Sequence, residues 1–289
     1  MNKPRLHHVP CLDTQGLHRT AYWEWGDPSN PRVLVCVHGL TRQGRDFDVL
    51  AAAMSDHYRV VCPDIAGRGE SDRLTNPMEY GIPRYVADMV TVLARVHAET
   101  LHWVGTSMGG LIGLGLAALA ASPVSRLVLN DVGPVLEAKA IARIGAYLGL
   151  PLRWDSVEQA AEYLLTISKG FGPHTAEQWL ALTRPMLRPA EDGGVQLHYD
   201  PALAAPFKVT TPEMAAAGEA ALWHAYDAIT CPTLLLRGAD SDLLTAETAA
   251  AMTVRGPRAR LHQFDGVGHA PTLVAPDQVQ VVREFLLSE

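Results

Sequence analysis

Short unbroken apolar runs alternate along most of the chain with longer segments whose apolar positions recur at helical spacing. "RVLVCVHG", "YRVVCPD", "LHWVG" and "SRLVLNDVG" are runs of the first kind. They predict strands buried on both faces, because a half-exposed strand would alternate apolar with polar residues. Between them, "DFDVLAAAMSD", "GIPRYVADMVTVLARVHAE" and "SMGGLIGLGLAALAAS" read as helices, the second with Pro83 in its first turn. Two edge strands, "LHHVPCL" and "RTAYWEW", separated by a Gln-Gly turn, precede this pattern. Strand-helix alternation of this kind predicts an α/β domain with a parallel sheet covered by helices on both faces.

From Pro134 to Tyr226 the rhythm breaks and no strand-like run appears. "EAKAIARIGAYLG", "SVEQAAEYLLTISKGFG" and "TAEQWLALTRPML" read as helices joined by Pro/Gly-rich stretches. At "CPTLLLRG" the sheet resumes, followed by a helix "AETAAAMTVRG", a strand "ARLHQFDG" and a closing helix "APDQVQVVREFLLSE". The expected organisation is a core in two parts, residues 1–133 and 227–289, with a helical cap formed by residues 134–226 lying over one end of the sheet.

Composition narrows the function classes. Apolar residues make up 48% and charged residues 19%, ordinary for a globular protein with a sizeable core. The formal charge of −7, with basic residues scattered, gives no reason to expect nucleic acid or anionic lipid as a partner. The opening "MNKPRLHHVPCLDTQG" has no apolar leader, and the longest apolar stretch is too short to span a bilayer. A cytoplasmic protein is expected, with Cys11, Cys36, Cys62 and Cys231 as reduced thiols, since none shows paired CxxC spacing.

The candidate chemistry centres on "GTSMGG". Ser107 ends a strand and opens a helix, a tight turn in which bulky residues two positions away would clash; Gly105 and Gly109 remove them. The turn holds the hydroxyl out at the carboxyl end of the sheet, where open α/β sheets bind ligands. The alternative is a helix-capping serine with packing glycines. In "VHGLTRQGRDFD", His38 is expected to brace a loop whose backbone N–H, with Leu40 following His38-Gly39, faces the same spot as the N–H of Met108. Two such donors make an oxyanion hole. His269, in the glycine-lined loop "GVGHAP" after the last strand, is the candidate base among 12 histidines. A carboxylate is needed to fix its tautomer. "LLLRGADSDLLT" offers Asp240 and Asp242, and Asp131 in "LNDVGP" ends the strand before the insertion and could also reach the histidine loop.

The motifs "HG", "PDIAGRGESD", "GTSMGG", "RGADSD" and "GVGHAP" resemble, in order and spacing, those of the α/β-hydrolase superfamily, and the resemblance covers essentially the whole chain outside the insertion. It implies an eight-stranded, mostly parallel sheet with a helical cap after the sixth strand, Ser107 as nucleophile, His269 as base, and oxyanion N–H groups from Leu40 and Met108. It implies an acid in the loop holding Asp240 and Asp242. The aspartate of "SDLL" resembles the acid of similar sequences, so Asp242 is chosen, with Asp240 next. The sequence departs from the family here, because the position three residues after the glycine is Ser241. Serine at the elbow argues against haloalkane dehalogenases and epoxide hydrolases, which resemble this fold but carry aspartate there.

The expected activity is hydrolysis of a carboxylic ester through an acyl-serine, with no cofactor or metal and with a small-molecule ester carrying an apolar acyl part as substrate. Carbon–carbon bond hydrolases, lactonases, thioesterases and cofactor-free peroxidases share the serine, and an inactive ligand-binding relative is the alternative of another class. Trp154, Trp179 and Trp223 are candidates to line an acyl pocket, with ordinary packing as the alternative. Arg42 is a candidate to meet an anionic part of the substrate, against a plain salt bridge.

Overall fold

The computed structural model describes residues 3–288. The chain opens with strands β1 (Arg5–Asp13), β2 (Gly16–Trp25) and β3 (Arg32–Val37), then helix α1 (Asp48–Met54) and strand β4 (Arg59–Asp64). Helix α2 (Ile82–Val96), strand β5 (Thr100–Thr106), helix α3 (Met108–Ala117) and strand β6 (Val124–Asn130) follow. The insertion then contributes α4 (Ala138–Tyr147), β7 (Arg153–Trp154), α5 (Val157–Ile167), α6 (Ala176–Thr183), β8 (Leu187–Pro189), β9 (Val195–Leu197), α7 (Ala205–Val209) and α8 (Pro212–Ala228). Strand β10 (Thr233–Gly238), α9 (Ala246–Met252), β11 (Arg260–Phe264) and α10 (Pro276–Leu287) complete the described chain. Glu289, expected in the last helix, and Met1 and Asn2 of the opening lie outside the described residues.

The main sheet has eight strands in the order β1-β2-β4-β3-β5-β6-β10-β11. β2 runs antiparallel to both of its neighbours, and every other pair is parallel. The unbroken apolar runs follow from burial on both faces. In β3, Val33, Val35 and Val37 pack into one core and Leu34 and Cys36 into the other. The first core takes the apolar stripe Tyr85, Met89, Val92 and Val96 of α2 and the small-residue helix α3; the second takes α1 and α10. All four cysteines are free thiols. Among the described residues no helix is long and apolar enough to cross a membrane.

Two features of the insertion differ from expectation. β7, β9 and β8 form a small three-stranded sheet where only helices were read. Strands of two or three residues are too short for any alternation to register in the sequence. The seventeen-residue helix α8, the longest of the insertion, was also not anticipated. Its first ten residues are exposed and rich in alanine, and only its last turns, through Leu222, Trp223, Ala225 and the buried Tyr226, pack on the core.

Candidate active site

Three neighbouring strands of the sheet, β3, β5 and β6, bring their carboxyl ends together, and the loop after β11 reaches across to them. At the end of β5 the chain turns sharply into α3. Ser107 sits in the turn at φ 52°, ψ −117°, a conformation uncommon for a residue with a side chain. The glycines make the turn possible: a β-carbon at Gly105 would strike the carbonyl of Gly109, and one at Gly109 would strike the carbonyl of Val37. The Ser107 side chain does not cap α3. Its Oγ lies 3.0 Å from His269 Nε2.

His269 Nδ1 lies 2.8 Å from Asp131 Oδ2. The bond to a carboxylate assigns the ring proton to Nδ1, which leaves Nε2 free to accept from the serine hydroxyl. The histidine loop is anchored on two sides: Asn130 Nδ2 donates to the Pro271 carbonyl at 2.7 Å, and Gly268 N–H donates to Gly170 of the insertion at 2.7 Å.

The structure corrects the expectation for the carboxylate. Asp131, at the end of β6, stands beside the histidine, and Asp242 and Asp240 do not. Asp131 is fully buried and accepts, besides the imidazole, the Gly238 N–H at 2.8 Å and the Ser241 hydroxyl at 2.6 Å. Asp242 instead accepts Arg143 Nε and Nη2 at 2.7 and 2.8 Å in the open. Burial alone would raise its carboxyl, but the guanidinium holds it below the usual range. Asp240 is exposed. The physical reason is adjacency: β6 and β10 are parallel neighbours, so the end of either strand can serve the same histidine. Ser241 at the usual acid position was the available signal, since its hydroxyl supports the carboxylate from the next strand.

The segment expected to contribute N–H donors is held from below. His38 is fully buried; its Nδ1 donates to the Gly39 carbonyl at 2.7 Å and its Nε2 accepts from Ile65 N–H at 3.0 Å. Burial pushes its pKa down to about 3, so it is a neutral brace. Arg68, also fully buried, donates from Nε to the Leu40 carbonyl at 2.8 Å. Its Nη1 donates to the Ala66 carbonyl and Tyr85 hydroxyl, and its Nη2 meets Met108 Sδ at 3.3 Å. Met108 N–H is in the first turn of α3, where a helix leaves its amides without intrahelical partners. In "PDIAGRGESD" Asp64 and Arg68 thus brace loops, the reading the sequence favours for them over a catalytic one. Asp64 accepts N–H groups from Gly44 and Glu70 and the Trp23 indole, while burial pushes its carboxyl up to about 6.

Ser107, His269 and Leu40 open into a cavity walled on one side by core loops, through Thr41, Phe47 and Pro271, and on the other by the insertion, with Ile144, Tyr147, Leu164 and Phe171 among its apolar lining. The tryptophan expectation is not met, since none of the three is among the lining residues. Trp179 is buried behind the wall, its indole N–H donating to the Ala161 carbonyl at 2.7 Å. Trp154 packs against Tyr163, and Trp223 lies between Tyr226 and the guanidinium of Arg255. Arg42 does line the cavity, as the salt bridge its alternative reading allowed. Its Nη2 donates to Asp46 at 2.7 Å and to the Leu182 carbonyl at 3.0 Å, tying the core loop to the insertion.

Comparison with known proteins agrees with the fold. The model of the alpha/beta hydrolase family matches residues 34–280. A 3-hydroxybutyrate-oligomer hydrolase of Cupriavidus necator is 56% identical over 285 residues, covering 98% of this chain and 97% of its own. Esterase YbfF of Escherichia coli is 24% identical, covering 89% of this chain and 94% of its own. Among solved structures, an alpha/beta hydrolase from Novosphingobium aromaticivorans superposes with a TM-score of 0.85 at 34% identity, covering 99% of each chain. With an eight-stranded sheet, a serine elbow and a histidine loop in this order, and a family match over most of its length, the chain belongs to the alpha/beta hydrolase family and is a hydrolase.

Proposed function

We propose that the protein is a serine hydrolase that cleaves ester bonds in short hydroxy-acid oligomers, through Ser107, His269 and Asp131. The observation that carries this reading is the unbroken chain of hydrogen bonds from Asp131 through His269 to Ser107, opening into an apolar cavity. The substrate class is supported by the oligomer hydrolase of Cupriavidus necator, which shares more than half of its residues with this chain.

In this mechanism Ser107 Oγ attacks the ester carbonyl carbon while His269 Nε2 takes its proton. Asp131 keeps the second ring proton on Nδ1 and stabilises the imidazolium. The tetrahedral oxyanion is held by the N–H groups of Leu40 and Met108, aimed by the buried Arg68 beneath them. The carbon–oxygen bond to the leaving alcohol breaks, and His269 returns the proton to that alcohol. Water then attacks the acyl-serine, giving its proton to the same nitrogen; the bond between the acyl carbon and Ser107 Oγ breaks, the imidazolium returns the proton to Oγ, and the acid is released. Residues 134–226 act as a cap that supplies the apolar wall and excludes water from the acyl chain.

The test is turnover of 3-hydroxybutyrate dimer and trimer, and of p-nitrophenyl butyrate, by purified protein. Ser107→Ala is expected to lower kcat by at least about 10³-fold with the fold intact by circular dichroism. Equal turnover by wild type and variant, or turnover confined to thioesters or carbon–carbon substrates, would refute the reading.

A further inference from the structure

The insertion puts into the cavity wall a guanidinium for which the hydrolytic mechanism has no use. Arg143 lies on α4, next to Ile144 and one turn before Tyr147, and all three line the same cavity as Ser107 and His269. Its bidentate partner is Asp242, with Nε and Nη2 both engaged. The two side chains keep 41% and 46% of their surface exposed. An ion pair so exposed is weak, because water competes for both partners, and a second carboxylate can replace the first at little cost. The other cationic wall residue, Arg42, has no such freedom. Its side chain is 9% exposed, and its donors are engaged by Asp46 and the Leu182 carbonyl.

A hydroxy-acid oligomer carries a group that an ordinary ester lacks, a terminal carboxylate that stays ionised in neutral water. A guanidinium fork matches that group with two parallel donors, as it matches Asp242. We propose that Arg143 is the specificity residue that binds the free carboxylate end of the substrate, exchanging Asp242 for it. The assignment rests on the ester-hydrolase reading above and deepens it. Asp242 acts as a stand-in for the substrate's acid group: it keeps the fork oriented at the cavity wall while the site is empty. It also makes the wall selective, since a neutral ester offers nothing to displace it.

The experiment compares 3-hydroxybutyrate dimer with its methyl ester, in wild type, Arg143→Met and Arg143→Lys, at low and high ionic strength. The ratio of kcat/KM for the acid over the methyl ester is expected to fall about tenfold to a hundredfold in Arg143→Met, chiefly through KM. Arg143→Lys should recover part of it, and high salt should depress it in wild type. Asp242→Asn, which removes the competitor, should lower KM for the acid relative to the methyl ester. This arm and the salt arm decide the matter if Arg143→Met does not fold. A ratio unmoved by the Arg143 changes, or by salt and Asp242→Asn, overturns the assignment while leaving ester hydrolysis standing. Failure of wild type to hydrolyse either compound overturns both.

Discussion

At the scale of single residues, the acid decides how the site is understood. Asp131 has a positive φ of 55°, is fully buried and accepts hydrogen bonds from an imidazole, a hydroxyl and an amide. Each contact fixes a carboxylate and none fits an amide side chain as well. Asp131→Asn is therefore expected to lower kcat about 10⁴-fold on p-nitrophenyl butyrate, because the imidazole would settle into the wrong tautomer. Asp240→Asn, at an exposed position, should leave kcat unchanged. Steady-state kinetics of the two variants separates these outcomes, and the reverse pattern would return the role to the loop after β10. The serine and the histidine proposed as nucleophile and base are legible as candidates in the sequence, because glycines mark the turns that expose them. The acid is not singled out there, because an aspartate needs no special neighbours to end a strand.

At the scale of elements, the β1–β2 hairpin is fastened to α2 by a titratable group. His18, paired with Cys11 across the hairpin, lies 3.2 Å from Asp13 and 3.1 Å from Asp88 of α2. Its hydrogen bond to Asp88 raises its pKa above the ordinary 6.5, overcoming burial, with both carboxylates adding attraction and Arg84 opposing. A raised folded-state pKa means that the charged form is favoured in the fold. The stabilisation is complete below about 6.5 and is lost as pH rises through the folded value. The excess thermal stability of wild type over His18→Gln should accordingly shrink as pH is raised above 6.5. Thermal melts across that range check it, and a gap that widens with pH would contradict it. The central strands of the main sheet were readable from their unbroken apolar runs. Helix α8 was not, since its core contacts are confined to residues 222–226, too short a stretch to print a period on the sequence.

At the scale of the whole molecule, one buried side chain ties together segments that the chain keeps far apart. Arg68 reaches the loop after β3 through Leu40, helix α2 through Tyr85 and the start of α3 through Met108. Arg68→Met keeps the volume and removes the donors, leaving buried acceptors unpaired at about 1–3 kcal/mol each. A lower Tm is expected together with a drop in kcat exceeding the change in KM, since the loop carrying Leu40 loses its anchor. A lower Tm with kcat intact would mean that Arg68 only supports the fold. What the sequence determined by itself was local or periodic: which runs are strands, where glycine permits a sharp turn, which serine and which histidine those turns present. What only the tertiary structure decided was adjacency. β6 and β10 lie side by side, so an aspartate at 131 meets a histidine at 269, and the insertion sets Arg143 at the cavity wall while it packs its tryptophans elsewhere. Contacts between distant segments arise from sheet order and packing, and neither leaves a trace in the spacing of residues along the chain.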